Sequence, residues 1–228
     1  MKTIALTTSM SHLRDELIYT EARLMAEPLT ADLAKGISQL IDNVEKIAAG
    51  QETLWRKEEA AQALSDACDD LLDDFVFSLE DHLKYTLRNE RNVRESARFT
   101  LYFKKSPREI RRLGLRSQLP EMKTWANTLK GENEQTLKDL ATELDTLIQK
   151  GDKTIMQMDT LAAERNAYRT RTIEPLIEEI NSARTKLFAT LIQRADANQK
   201  PRDYQERFFK KTSRPTPSSR TENKENSL

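Results

Sequence analysis

Apolar residues recur every three or four positions through most of this chain, and the clearest stretch runs from residue 65 to residue 98. Its apolar residues keep the i, i+3, i+4, i+7 spacing: Leu72, Phe75, Val76, Leu79 and Leu83. At about 100° per residue, this spacing places them on one face of an amphipathic helix. Such a face needs a core to pack against, so the pattern predicts a fold made of packed helices.

The composition agrees with long helices. Charged residues make up 32% of the 228 residues, with only five glycines and seven prolines, and no alternating run with turn residues suggests strands. We therefore predict an all-α protein, a long-helix antiparallel four-helix bundle. The predicted segments are an N-terminal segment with a short helix (1–27), a first helical hairpin (28–98), a crossover with short helices (99–131), a second helical hairpin (132–199) and a polar, mostly disordered tail (200–228).

A weak internal repeat supports the two hairpins. Shifting the chain by 107 residues aligns residues 32–60 with residues 139–167 and gives nine identities in 29 positions. Helices of similar composition also match by chance, so coincidence stays open. The first hairpin would need a turn at Gly50 or within residues 58–66, and the sequence does not decide between them. Pro175 predicts a fresh helix start near Thr172.

One side of the helix predicted over residues 65–98 changes sign along its length. The acidic candidates for partner binding are Asp66, Asp69, Asp70, Asp73, Asp74, Glu80 and Asp81. The basic candidates for partner or polyanion binding are Lys84, Arg88, Arg91, Arg94, Arg98, Lys104, Lys105, Arg108, Arg111 and Arg112. Acids early and bases late suit the helix macrodipole, which is the simpler interpretation. The alternative is that a partner helix docks against this side, acid to base.

The leading functional prediction is a non-enzymatic structural or interaction protein. It would act by self-association, as an antiparallel dimer, or by docking a protein partner on the charge-switched helix face. The second prediction is binding of nucleic acid or another polyanion, since residues 84–116 carry eleven Lys or Arg against three Glu, interleaved with Phe99, Tyr102 and Phe103. In the simpler interpretation, these aromatic rings plug one end of the bundle and the arginines pair with neighbouring acids.

No catalytic, cofactor-binding or metal site is predicted. The stretch Asp69-Asp70-Leu71-Leu72-Asp73 matches the DDxxD spelling of prenyl and terpene synthases, in which carboxylates one turn apart bind Mg²⁺. An acid-rich helix produces this spelling by chance, and no second metal motif completes a site. The only histidines, His12 and His82, lack the Glu-x-x-His spacing of di-iron bundles.

The compartment is inferred from the cysteine content and from hydropathy. The single Cys68 cannot form an internal disulfide and is predicted to be a small core residue. No run approaches the 18 apolar residues that a membrane span needs, and no signal peptide is recognised near the first residue. These features predict a cytoplasmic protein without a membrane span.

Overall fold

The computed structural model describes residues 3–210. Within this range the chain forms seven α-helices and no strands, and the prediction of an all-α helical bundle is confirmed. The helices are α1 (Met10–Met25), α2 (Ala34–Thr86), α3 (Ala97–Tyr102), α4 (Pro107–Ile110), α5 (Leu115–Lys130), α6 (Gln135–Tyr168) and α7 (Glu174–Ala197). Shorter 3₁₀ turns cover Ala31–Leu33, Val93–Glu95 and Tyr204–Phe208. None of the described helices is both long and apolar enough to cross a membrane.

The expected turn of the first hairpin is absent. Helix α2 runs for 53 residues without a break through both proposed turn positions, Gly50 and residues 58–66, all of which the structure describes. The residues from Lys57 to Leu64 are strong helix formers, and one glycine costs a helix only about 1 kcal/mol. Apolar spacing alone could not distinguish one long helix from two shorter ones.

The expected break between the two helices of the second hairpin is also absent. A π-helical turn, Arg169–Ile173, joins α6 directly to α7, so Pro175 lies in the first turn of α7 without a preceding loop. Proline has no backbone N–H to donate, and a wider turn before it relieves the missing α-helical hydrogen bond. Residues 32–60 and 139–167 both lie largely in long helices, but the internal repeat itself stays a prediction.

Several helix ends coincide with local sequence signals. Ser9 caps α1 by accepting a hydrogen bond from the His12 backbone N–H. Ser106 and Glu109 form a capping box at the start of α4, with Pro107 at the first helical position. Helix α5 ends at Gly131, and its Trp125 is buried.

The chain divides into two compact units. The central unit comprises residues 50–169. Its core is formed by the end of α2 together with α3, α5 and α6, and contains Leu72, Phe75, Val76, Leu79 and Leu83 as predicted. Gly151 allows α5 to lie close to α6, because a methyl group there would come within 3.0 Å of Leu119.

The terminal unit comprises residues 1–49 and 170–228, of which 3–49 and 170–210 are described. The predicted tail begins at residue 200, yet Tyr204, Phe208 and Phe209 are buried in this unit. The Tyr204 hydroxyl donates to Glu27 Oε2 at 2.7 Å; burial, together with this hydrogen bond, raises its pKa to about 12. The rest of the predicted tail, residues 211–228, lies outside the described residues.

A buried ion pair links α1 to α7 within the terminal unit. Arg184 Nη1 lies 3.1 Å from Glu16 Oε2, and the two side chains are only 5% and 6% exposed. The guanidinium also lies over the Phe209 ring, 5.2 Å from its centroid. Removing one partner would leave the other charge buried and unpaired.

We therefore expect Arg184→Met to lower the free energy of unfolding by about 3–5 kcal/mol. The control is Arg116→Met, which breaks the ion pair of Arg116 with Asp159, two side chains that are more than half exposed. That change should cost less than about 1 kcal/mol. Urea unfolding of both variants checks this, and equal losses would contradict the assignment of Arg184 as a buried structural charge.

Candidate interaction surface

The acidic candidates lie on two different sides of α2. Four of them face solvent: Asp66, Asp70, Asp74 and Asp81. Asp69 and Asp73 are half-buried and Glu80 is buried, because they lie on the flank of α2 that faces other elements of the central unit. Gln118 of α5 donates to Asp73 Oδ1 at 2.6 Å, and Lys84 lies 2.8 Å from Glu80. We call the four exposed aspartates the acidic face.

The predicted helix over residues 65–98 is too long. Helix α2 ends at Thr86, so Arg88, Arg91 and Arg94 lie in the connection to α3, and only Lys84 continues the stripe on the helix. Asparagines at 89 and 92 compete for backbone hydrogen bonds and favour turns over helix. The change from acidic to basic residues is therefore present in the sequence, but the two sets do not lie along one side of a single helix.

Arg98 belongs to a hydrogen-bonded cluster inside the central unit. Its guanidinium lies 2.9 Å from Glu132 and 3.3 Å from Glu134. The Tyr102 hydroxyl donates to Glu132 at 2.8 Å, and His82 Nε2 lies 2.7 Å from Glu134. Burial alone would raise the pKa of Glu132, but the hydrogen bonds from Arg98 and Tyr102 outweigh it and lower the pKa. This cluster is structural, and Arg98 is engaged in it rather than presented to a partner.

The remaining basic residues point outward. Lys104, Lys105, Arg108, Arg111 and Arg112 are all exposed, in and around α4. Within the described residues, none of the five lies within 4 Å of a carboxylate in an ion pair. We call these five residues the basic crossover. The Arg111 guanidinium lies over the Phe77 ring, 5.8 Å from its centroid. The pKa of Glu109 is lowered mainly by its hydrogen bonds with Ser106 and further by the charges of Lys105 and Arg112.

The aromatic residues near the basic crossover are not available for base stacking. Phe99, Tyr102 and Phe103 are at most 5% exposed. The Phe103 and Trp125 rings meet edge to face with centroids 5.1 Å apart, and Tyr102 lies 6.4 Å from Trp125. These rings close one end of the central core.

Two exposed aromatic residues lie near the C-terminal end of α2, and sequence reasoning missed them. Phe77 is 51% exposed and Tyr85 is 67% exposed, both on the outward side of α2. Arg88 lies over the Tyr85 ring at 4.4 Å and also donates to the Tyr85 carbonyl oxygen. A signal existed in the sequence, since both residues fall on the side of the helical wheel where the periodicity demands polar residues.

The part of the chain that the structure describes does not bring together the side chains of a metal centre. Among residues 3–210, no group of three or more His, Cys, Asp or Glu side chains could hold a metal ion. The Cys68 thiol is half-buried and lies 3.7 Å from the Thr154 hydroxyl. No family model, curated protein or solved structure matches the chain.

The surroundings of Asp69 disfavour the negative charge of its side chain. Burial raises its pKa, and the neighbouring Asp73, Asp70 and Asp66 raise it further. Its Oδ1 atom is buried and accepts no hydrogen bond from the described residues. The ionised form is thus disfavoured in the folded state.

We expect Asp69→Asn to raise the melting temperature at pH 7. The folded-state pKa of Asp69 lies above its unfolded value, so ionisation destabilises the fold at any pH above the folded pKa. This penalty fades as the pH falls and is absent below the unfolded pKa of about 3.9. Thermal unfolding at pH 7 and at about pH 3 checks this. An equal gain at both pH values would show that charge is not the cause. The control is Asp74→Asn, at an exposed position.

Proposed function

We propose that this chain is a non-enzymatic helical-bundle protein that works by binding a protein, either a partner or a second copy of itself. The binding surface is the outward side of the central unit, where the acidic face lies on α2 and the basic crossover follows it in sequence. One observation carries the proposal: most of these charges form no ion pair among the described residues, although the core of the unit is already closed. Asp70 and Asp74 form no ion pair with a basic side chain among the described residues, and Lys104 and Arg108 form none with a carboxylate. Hydrogen bonds from Ser106 lower the pKa of the Glu109 carboxyl, and Lys105 lies close enough for its charge to lower it further.

Such a surface suits recognition more than stability. Exposed ion pairs within one chain contribute about 0–1 kcal/mol, so leaving these charges unpaired costs the fold little. Opposite charges across an interface raise the association rate and fix the register of two surfaces. A cytoplasmic setting fits a chain whose one cysteine, Cys68, is free and half-buried.

A second candidate function is the binding of a nucleic acid or another polyanion. It is favoured by the basic crossover, five exposed Lys and Arg residues grouped around α4. Since Phe99, Tyr102 and Phe103 are buried, such binding would use phosphate contacts without stacking of bases on these rings. The affinity would then fall steeply with salt, as bound counterions are released.

The test reverses the charge of the basic crossover in the full chain, with Lys104→Glu, Lys105→Glu and Arg108→Glu together. The matched control reverses three exposed lysines of α6: Lys138→Glu, Lys150→Glu and Lys153→Glu. Solution mass is measured by light scattering at low salt and at about 1 M salt, where charges are screened beyond about 3 Å. Capture from lysate is compared with and without nuclease.

We expect salt-sensitive assembly, or nuclease-resistant protein capture, that the crossover variant loses and the control keeps. Binding that is abolished by nuclease would instead support the second candidate function, the binding of nucleic acid. A chain that stays monomeric at low salt and captures neither protein nor nucleic acid would contradict both.

A further inference from the structure

Helix α2 carries a second apolar face that is exposed in the described part of the chain. Between residues 60 and 71, exposed apolar residues keep the spacing i, i+3, i+4, i+7 and i+11: Ala60, Ala63, Leu64, Ala67 and Leu71. At about 100° per residue, they fall within an arc of about 100°, centred about 120° away from the buried face of the same helix. Leu64 is 51% exposed and Leu71 is 44% exposed. This part of α2 therefore has two apolar faces, and only one of them packs on the core.

The spacing indicates that the occupant of the second face is another helix. Single exposed apolar residues are common on proteins and need no explanation. Apolar residues at i, i+3, i+4 and i+7 on one face are instead the pattern through which an amphipathic helix is bound. Three of the five residues are alanines, which let a second helix approach closely, and the two leucines can insert between its side chains.

The carboxylates beside the second face favour a basic helix. Asp66 and Asp70 lie just beyond one edge of the apolar arc, and Asp74 follows on the face itself, about one turn after Leu71. Asp70 and Asp74 form no ion pair with a basic side chain among the described residues. Lys or Arg residues flanking the apolar side of a partner helix would meet these carboxylates, as flanking charges do in coiled coils.

The rest of α2 does not offset this acidic character. The basic residues of α2 that are nearest in sequence, Arg56 and Lys57, precede the second face, and Arg56 is paired with Glu52 at 2.9 Å. A second copy of this chain would bring the same aspartates into the interface, which is unfavourable. A partner of opposite charge is therefore the better match to this face.

We propose that an amphipathic helix of another protein, with Lys or Arg beside its apolar side, docks on residues 60–74 of α2. This inference rests on the proposed function and specifies the chemistry of the partner. Burial of Leu64 and Leu71 supplies the apolar contact, and the neighbouring aspartates select for basic helices. The same carboxylates repel phosphate, so neither nucleic acid nor anionic lipid is expected at this face.

A pair of synthetic peptides tests the chemistry of the partner. Both peptides are three heptads long with leucine at positions a and d; one carries Lys at positions e and g, and the other carries Glu there. Each labelled peptide is titrated with the full chain, and fluorescence anisotropy measures the dissociation constant. We expect the Lys peptide to bind with an affinity that falls as salt rises, and the Glu peptide to bind about tenfold more weakly or less.

Leucine variants test whether the Lys peptide binds at the second face. Leu64→Gln together with Leu71→Gln should weaken binding about tenfold or more, because both side chains would be buried by the partner helix. Met156→Gln, at a 65% exposed position of α6, is the control and should leave the affinity unchanged. The substituted positions are all exposed, so the variants are expected to fold, and thermal unfolding checks this.

Charge variants test the selection for basic helices. Asp70→Lys together with Asp74→Lys should also weaken binding of the Lys peptide about tenfold or more. These changes relieve repulsion between carboxylates on α2, so a loss of binding would not reflect a loss of folding. The matched control is Asp139→Lys together with Glu143→Lys, two exposed acids of α6 at the same spacing, which should leave the affinity unchanged.

Three results would overturn this inference: equal affinity for the two peptides, binding of neither peptide, or binding that the leucine variant leaves intact. Self-association of the purified chain that the leucine variant abolishes would identify a second copy as the occupant and would also overturn it. The proposed function fails separately, because it is tested through the basic crossover. A chain that captures a protein through the basic crossover but binds neither peptide would lose this inference alone.

Discussion

Burial of the crossover aromatic rings is the constraint on which the central unit depends. Phe99, Tyr102 and Phe103 follow α2 after a short connection and fold back against Trp125 of α5. Large aromatic side chains contribute more apolar burial than any other residues, so this closure determines where the chain turns after Thr86. It also affects the chemistry of the surface, since Lys104 and Lys105 follow these rings directly and have no place in the core.

Periodicity predicted the core of the central unit because burial of an amphipathic face depends only on spacing. The capping box of α4 and the end of α5 at Gly131 were also predictable, since each depends on a few neighbouring residues. The turns were not predictable from spacing. Helix α2 continues across Gly50, because strong helix formers follow this glycine. A π-helical turn before Pro175 keeps α6 and α7 continuous. The number of separate helices therefore depended on tertiary packing.

The candidate surface was predictable only in part, for an electrostatic reason. The sequence identifies which residues carry charge but not which side of a helix a neighbour covers. Asp73 and Glu80 share a flank that packing covers, whereas Asp70 and Asp74 are exposed. Arg98 was assigned to the basic stripe, yet the glutamates at 132 and 134, distant in sequence, hold it within the unit.

The acidic face weakens the helix that carries it. Carboxylates three and four residues apart repel each other by a few tenths of a kcal/mol per pair, and Asp69 bears a raised pKa in addition. Lysines at some of these positions would relieve the repulsion through i, i+4 pairs without disturbing the core, because Asp70 and Asp74 are exposed. The exposed Phe77 ring lies within this face and is also unfavourable, because a solvent-exposed helix surface normally carries polar residues. Features that disagree with local stability and cluster on one face are expected at functional surfaces, and a docking partner that supplies both apolar area and positive charge would compensate for both.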